Sequence, residues 1–184
     1  MSKTPRPADW NSLDARPPYS LLHRLSTAFV RLQGEAALKH VDARRPTEEQ
    51  AVRISNVVEG LAAELSMPSA RVFVYDGEPN ALVARSAGRT LAISSSFLDE
   101  LTRTELEAVA AHCLVRLVPP TRLGDPVGYD DDVRAAALTK FPPALAAALE
   151  KATPHKGRYA PLYFVAQHPS HRPVELRIAA LGDL

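Results

Sequence analysis

The chain has 184 residues, of which 46% are hydrophobic and 23% charged, and its net charge is +1. That length and balance fit one globular domain with a real core. The near-neutral charge leaves no electrostatic footprint for nucleic acid or an anionic membrane. One Cys excludes an internal disulfide framework, no apolar run approaches the ~20 residues of a bilayer span, and the polar N-terminus lacks a signal-peptide core. A cytoplasmic protein without a transmembrane segment is expected.

Residues 1–18 are rich in Pro and polar types and read as a flexible arm, with Trp10 as its one large aromatic. Residues 19–184 read as a single domain. Leu21, Leu22, Leu25, Phe29, Val30 and Leu32 recur at helical spacing, predicting a helix over Ser20–Val41. Thr47 with Gln50 is a capping box that opens a second helix, whose apolar face is Ile54, Val57, Val58, Leu61 and Leu65. Met67-Pro68 is expected to end it. The period then shortens. Arg71–Tyr75, Ala81–Arg85 and Thr90–Ser94 read as strands of a small, at least partly antiparallel sheet.

Thr102 with Glu105 forms another capping box, predicting a helix to about Leu117. Asp130–Lys140 and Ala144–Lys151 read as two further helices, Leu162–Val165 as a short strand, and Pro173–Leu181 as a last helix. The fold class is therefore α+β: a helical domain with a small mixed or antiparallel sheet.

The helix opened by Thr102 carries Ala111-His112-Cys113-Leu114-Val115-Arg116. A zinc peptidase would carry His-Glu-x-x-His here, two His one turn apart on one helix face with a Glu to take a proton from metal-bound water. A lone His on an apolar helix is most often a core or surface residue, so the surroundings must carry the argument.

Those surroundings agree in order along the chain. Glu78-Pro79-Asn80-Ala81, the strand and helix of Arg89–Leu101, and Leu101-Thr102-Arg103-Thr104-Glu105-Leu106-Glu107-Ala108-Val109-Ala110-Ala111-His112 are followed by Gly128-Tyr129-Asp130-Asp131-Asp132. Leu138-Thr139 with Pro143-Ala144-Leu145 and Ala148-Leu149 comes next, and His168-Pro169 with Glu175–Leu181 closes the series. From about Arg71 to Leu181 this resembles the HtpX-type zinc metallopeptidases, gluzincins that also include the CAAX prenyl proteases. The resemblance implies a gluzincin metallopeptidase fold, with zinc ligands at His112, Arg116 and Gly128 and the general base at Cys113. Only His112 has a side chain suited to zinc: Arg116 is a permanent cation and Gly128 has no side chain.

The resemblance also places Asp132 behind His112, as a hydrogen-bonding support. Arg116, near Asp130, Asp131 and Asp132, suggests a guanidinium in the place of the metal, tying two helices together. Cys113 reads as a core residue rather than a nucleophile, because adjacent helix positions point about 100° apart and His112 cannot serve it. His155, His168 and His171 lack a regular ligand spacing and read as surface or loop residues. Asn80, Ala81, Leu82 and Val83 lie where the resemblance puts a peptide-binding edge strand.

The expectation is a catalytically inactive pseudopeptidase with no metal and no cofactor. It would bind a protein or peptide, including as partner of an active relative in a hetero-oligomer. Two other readings stay open: an active zinc metallopeptidase with rebuilt ligands, and a structural scaffold domain.

Overall fold

The computed structural model of the chain describes residues 32–85, 88–118, 129–169 and 171–184, and the side chains of 129 and 130 fall outside that description. The arm over 1–18, Trp10, most of the Ser20–Val41 helix and Gly128 therefore lie outside the described residues. Within them the chain is α+β, with seven α-helices around one three-stranded mixed sheet.

The first helix, α1, is described over residues 32–40. Its end is a turn in which Asp42 takes a left-handed φ of 49°, while Ala43 N–H reaches Leu38 O and Asp42 N–H reaches Lys39 O. Helix α2, Glu48–Glu64, begins at the Thr47–Gln50 capping box and buries Ile54, Val58, Leu61 and Ala62. It closes in the same way as α1: Ser66 has φ 50°, Met67 N–H bonds Ala62 O and Ser66 N–H bonds Ala63 O. This paired end satisfies carbonyls that the helix leaves without partners. Met67-Pro68 lies just past the stop rather than causing it.

Strands β1 (Arg71–Tyr75), β2 (Ala81–Ala84) and β3 (Thr90–Ser94) form a sheet in the order β1-β3-β2. β1 runs parallel to β3 and β2 antiparallel to it, so Leu82 faces Ala92 and Phe73 also faces Ala92 from the other side. Every residue of β2 and of β3 is buried. A side-chain period of two places Val74, Ala81, Val83, Leu91 and Ile93 in the main core and Tyr75, Leu82 and Ala92 in a second cluster on the opposite face.

Helix α3 (Ser95–Glu100) follows β3 directly, capped by the Ser94 hydroxyl. Helix α4 (Arg103–Leu117) opens at the Thr102–Glu105 capping box, which Lys151 reinforces by donating to Glu105 Oε2 over 2.7 Å. α4 is buried nearly all round, from Leu106 to Leu117, which makes it the central helix of the domain. Around it stand α2, α5 (Tyr129–Thr139), α6 (Pro142–Lys151) and the face of β2, and α7 (Val174–Gly182) packs on α6 and α5. The expected strand at Leu162–Val165 is instead a 3₁₀ turn, Ala160–Leu162, followed by isolated bridges. No helix among the described residues is long and apolar enough to cross a membrane.

Candidate functional site

The centre of α4 packs on α5, and its His112 and Arg116 reach Phe164 and the carbonyls of Pro161 and Tyr163. His112 is 2% exposed, and its Nδ1 lies 3.0 Å from Asp132 Oδ1 on α5. The approach is off-line, so that Nδ1 makes no well-aligned hydrogen bond. Arg177 of α7 grips the same carboxylate with both prongs, Nε to Oδ2 and an Nη2 to Oδ1, each at 2.7 Å. Its other terminal nitrogen donates to Phe164 O over 2.9 Å, and the guanidinium carbon sits 5.3 Å from the Phe164 ring centre. The His112 ring meets that same phenyl edge-on at 5.0 Å. His112, Asp132, Arg177 and Phe164 thus form one buried unit joining three helices and the segment that carries Phe164.

Sequence reading gave Arg177 no role, although a signal was there. Val174, Arg177, Ile178 and Leu181 recur at helical spacing, which puts a charge in the middle of an apolar stripe. A cation at such a position needs a buried partner.

Arg116 stands one turn beyond His112. Its bonds go to carbonyls: Nη1 to Tyr163 O at 2.7 Å and Nη2 to Pro161 O at 2.6 Å. The expected tie to the α5 carboxylates is therefore corrected: the described contacts fasten α4 to the 161–163 segment. Asp131 and Asp132 act on Arg116 only through their field. Tyr163 O has a second neighbour, His171 Nε2 at 3.1 Å. A carbonyl only accepts, so His171 is the tautomer that carries its proton on Nε2.

Cys113 points into the main core and is fully buried. Burial pushes its thiol up to about 12, against the opposing fields of Arg116 and Arg177. A thiol raised in this way stays protonated near neutral pH and is a poor nucleophile. Iodoacetamide at pH 7.5 should leave Cys113 of the native protein unlabelled while labelling the denatured chain fully. Labelling of the native chain within minutes would contradict the burial.

Asn80, Ala81, Leu82 and Val83 are all buried. Asn80 Nδ2 donates to Thr153 O and Val165 O, and its Oδ1 accepts from the N–H groups of Ala81 and Val165. On the outer side of β2, Leu82 bridges Tyr163 and Ala81 O accepts from Phe164 N–H. At Ala81 and Leu82 the expected peptide-binding edge is met by the chain's own Tyr163 and Phe164. His155 stacks on Tyr163 at 3.7 Å, and His168 and His171 lie 6.3 Å apart with perpendicular rings.

The shifts at His112, His171 and Asp132 all favour neutral over acid pH. Burial lowers the pKa of His112, with Asp132 opposing. Burial and then the Arg116 field lower His171 to about 4. Burial works against the Asp132 charge, but the Arg177 and His112 contacts outweigh it and hold the carboxyl well below the usual range. As pH falls through ~6.5 the unfolded chain binds protons at both His that the folded chain refuses. Stability is therefore lost from about pH 6.5 downward, for His171 until about 4. A second loss follows below ~4, where Asp132 would protonate in the unfolded chain. Denaturant unfolding should give a lower midpoint at pH 5 than at pH 7.5, and a His171→Gln chain should lose part of that slope. An unchanged midpoint would contradict both assignments.

A zinc site needs about three protein ligands. Among the described residues no group of three His, Cys, Asp or Glu is placed to hold a metal. His112 turns Nδ1 toward Asp132, Cys113 lies in the core, and Arg116 is a cation held by two carbonyls. These residues do not fit zinc.

No family model matches the chain. It is 36% identical over 81 residues to a protein named Protease HtpX homolog from Dictyoglomus thermophilum, covering 42% of this chain and 27% of that protein. It is 34% identical over 96 residues to a protein of the same name from Neisseria meningitidis serogroup C, covering 50% of this chain and 33% of that one. The chain thus spans about a third or less of the length of the curated relatives it matches. These partial matches, over half of this chain or less, support a kinship with the HtpX-like proteins.

Proposed function

We propose that this HtpX-like chain has the gluzincin metallopeptidase fold without the peptidase chemistry, and that it acts by binding a protein or an extended peptide. The observation that carries this reading is Arg116. One turn from His112, where a second zinc-binding His would stand, a guanidinium holds the carbonyls of Pro161 and Tyr163. A group engaged in that way repels a cation instead of ligating it. Cys113 supports the reading from the base position, since a neutral buried thiol cannot take a proton from water as Glu does. His112 and Asp132 keep the pairing that a metal site uses to orient a ligand, but here the carboxylate answers to Arg177.

The partner in this reading is a protein of the cytoplasm, and an active relative in a hetero-oligomer is the form most consistent with shared ancestry. The test is hydrolysis of an unfolded polypeptide such as reduced casein, with added zinc and again after a chelator. No chelator-sensitive cleavage is expected. Cleavage that zinc restores after chelation would overturn the reading in favour of a peptidase with rebuilt ligands.

A further inference from the structure

Helix α1 lies on the second face of the sheet, with Leu38 and Val41 packed on the cluster of Tyr75, Leu82 and Ala92. A Cβ on Gly34 would stand only 2.9 Å from Ala84 Cβ, at the end of β2. At the other end of α1, His40 and Val41 line one cavity with Tyr75, Asp76 and Asn80. The helix therefore comes in over the sheet end where Arg71, Thr90 and Ala84 stand in one row, and runs toward Tyr75. Its packed side is Gly34, Ala37, Leu38 and Val41. Leu32 is on the opposite side and is 66% exposed.

That exposure sets the phase of the sequence upstream, where the spacing predicts a helix from Ser20. At 100° per residue Leu21, Leu22, Leu25, Phe29 and Leu32 share one face, and Val30 falls on the other. The centre of that face lies about 160° from the centre of the packed side of α1. A helix continued to Ser20 would carry this stripe away from the sheet, and residues 20–31 would reach about 18 Å past its end.

The charge at this end has one sign. No Asp or Glu occurs over residues 15–34, which hold Arg16, Arg24 and Arg31. The strands bring Arg71, Arg85 and Arg89 to the same end, and none of the three stands in an ion pair among the described residues. The Arg85 guanidinium closes the end of α4 by donating to Arg116 O and Val118 O. Glu35 and Asp42 are the carboxylates of the groove that Leu32, Lys39 and Arg71 also line, and there the two cations balance them. The net charge of +1 hides the local excess because it sums the whole chain.

We propose that residues 20–32 are a membrane-surface element, an amphipathic helix that lays Leu21, Leu25, Phe29 and Leu32 into an anionic lipid surface while the arginines of the segment and of the sheet end meet the headgroups. Cations spread over the segment and three strand ends fit a broad anionic plane. A groove on one partner protein would engage the stripe alone. The proposal goes beyond the binding reading above and does not rest on it: zinc-dependent cleavage would leave it standing.

Flotation of the full chain with lipid vesicles tests this, phosphatidylcholine alone against phosphatidylcholine with about a third phosphatidylserine. Binding to the anionic vesicles should be about tenfold or more the stronger, and should fall as salt is raised. Leu25→Asp with Phe29→Asp should abolish it and leave the thermal midpoint of the chain unchanged, because the stripe lies off the core. Arg24→Glu with Arg31→Glu should weaken it by about tenfold or more. No binding to anionic vesicles, or equal binding to both kinds, would overturn the proposal. A lowered midpoint in the Asp variant would make the stripe part of the core and overturn it too. Self-association of the wild type, lost in the Asp variant and unmatched by vesicle binding, would assign the stripe to a second copy instead.

Discussion

Replacing Asp132 by Ala will destabilise the domain by about 3–5 kcal/mol, the usual cost of breaking a buried ion pair from one side. The carboxylate is 2% exposed and accepts both prongs of Arg177 at 2.7 Å, with His112 Nδ1 a further 3.0 Å away. Its loss leaves Arg177, itself 2% exposed, with only Phe164 O as a described hydrogen-bond partner. Thermal unfolding should show it as a fall of about 10 °C or more for a chain of this size. Replacing both partners, Asp132→Leu with Arg177→Met, should recover most of the loss, because no charge is then left buried. A single substitution that costs less than about 1 kcal/mol would place the pair near solvent and refute the buried unit.

Asn80→Ala is the second large effect, at about 2–5 kcal/mol. All four hydrogen-bonding positions of that amide are used: two by Thr153 O and Val165 O, two by the N–H groups of Ala81 and Val165. Truncation takes that acceptor from the buried N–H groups of Ala81 and Val165, each loss at about 1–3 kcal/mol. Asn80→Asp should rescue little. A carboxylate still accepts from the N–H groups but faces two carbonyls with negative charge. Chemical denaturation of the three chains side by side checks the order: wild type, then a wide gap, then both variants. An Asp variant as stable as the wild type would mean that the donor half of the amide is idle.

What the sequence disclosed was mostly local. The capping boxes at Thr47–Gln50 and Thr102–Glu105 set helix starts, and alternation set three strands, because each signal is written within a few residues. The end of α2 was read from Met67-Pro68, whereas Ser66 in a left-handed turn makes the stop, a conformation that Ser does not advertise as Gly would. Sheet order was not legible. β2 lies between β1 and β3 in sequence yet at the edge in space, and a strand's own pattern does not name its neighbour. The cover over that edge was hidden for the same reason, since Leu82 and Tyr163 are far apart in the chain and joined by a lone bridge. His112 beside Asp132 was legible through the resemblance. The partner that dominates Asp132 was not assigned, and Arg116 bonds backbone carbonyls where carboxylates were expected. Carbonyl partners leave no mark on residue type.

The account turns on whether this centre holds zinc. Elemental analysis of the full chain, purified without chelator and dialysed against one equivalent of zinc plus a weak competing buffer ligand, addresses that directly. The account predicts well under about a tenth of an equivalent retained, since a lone His falls short of the three ligands a zinc site needs. Retention near one equivalent, abolished by His112→Ala, would contradict it and return the centre to metal chemistry.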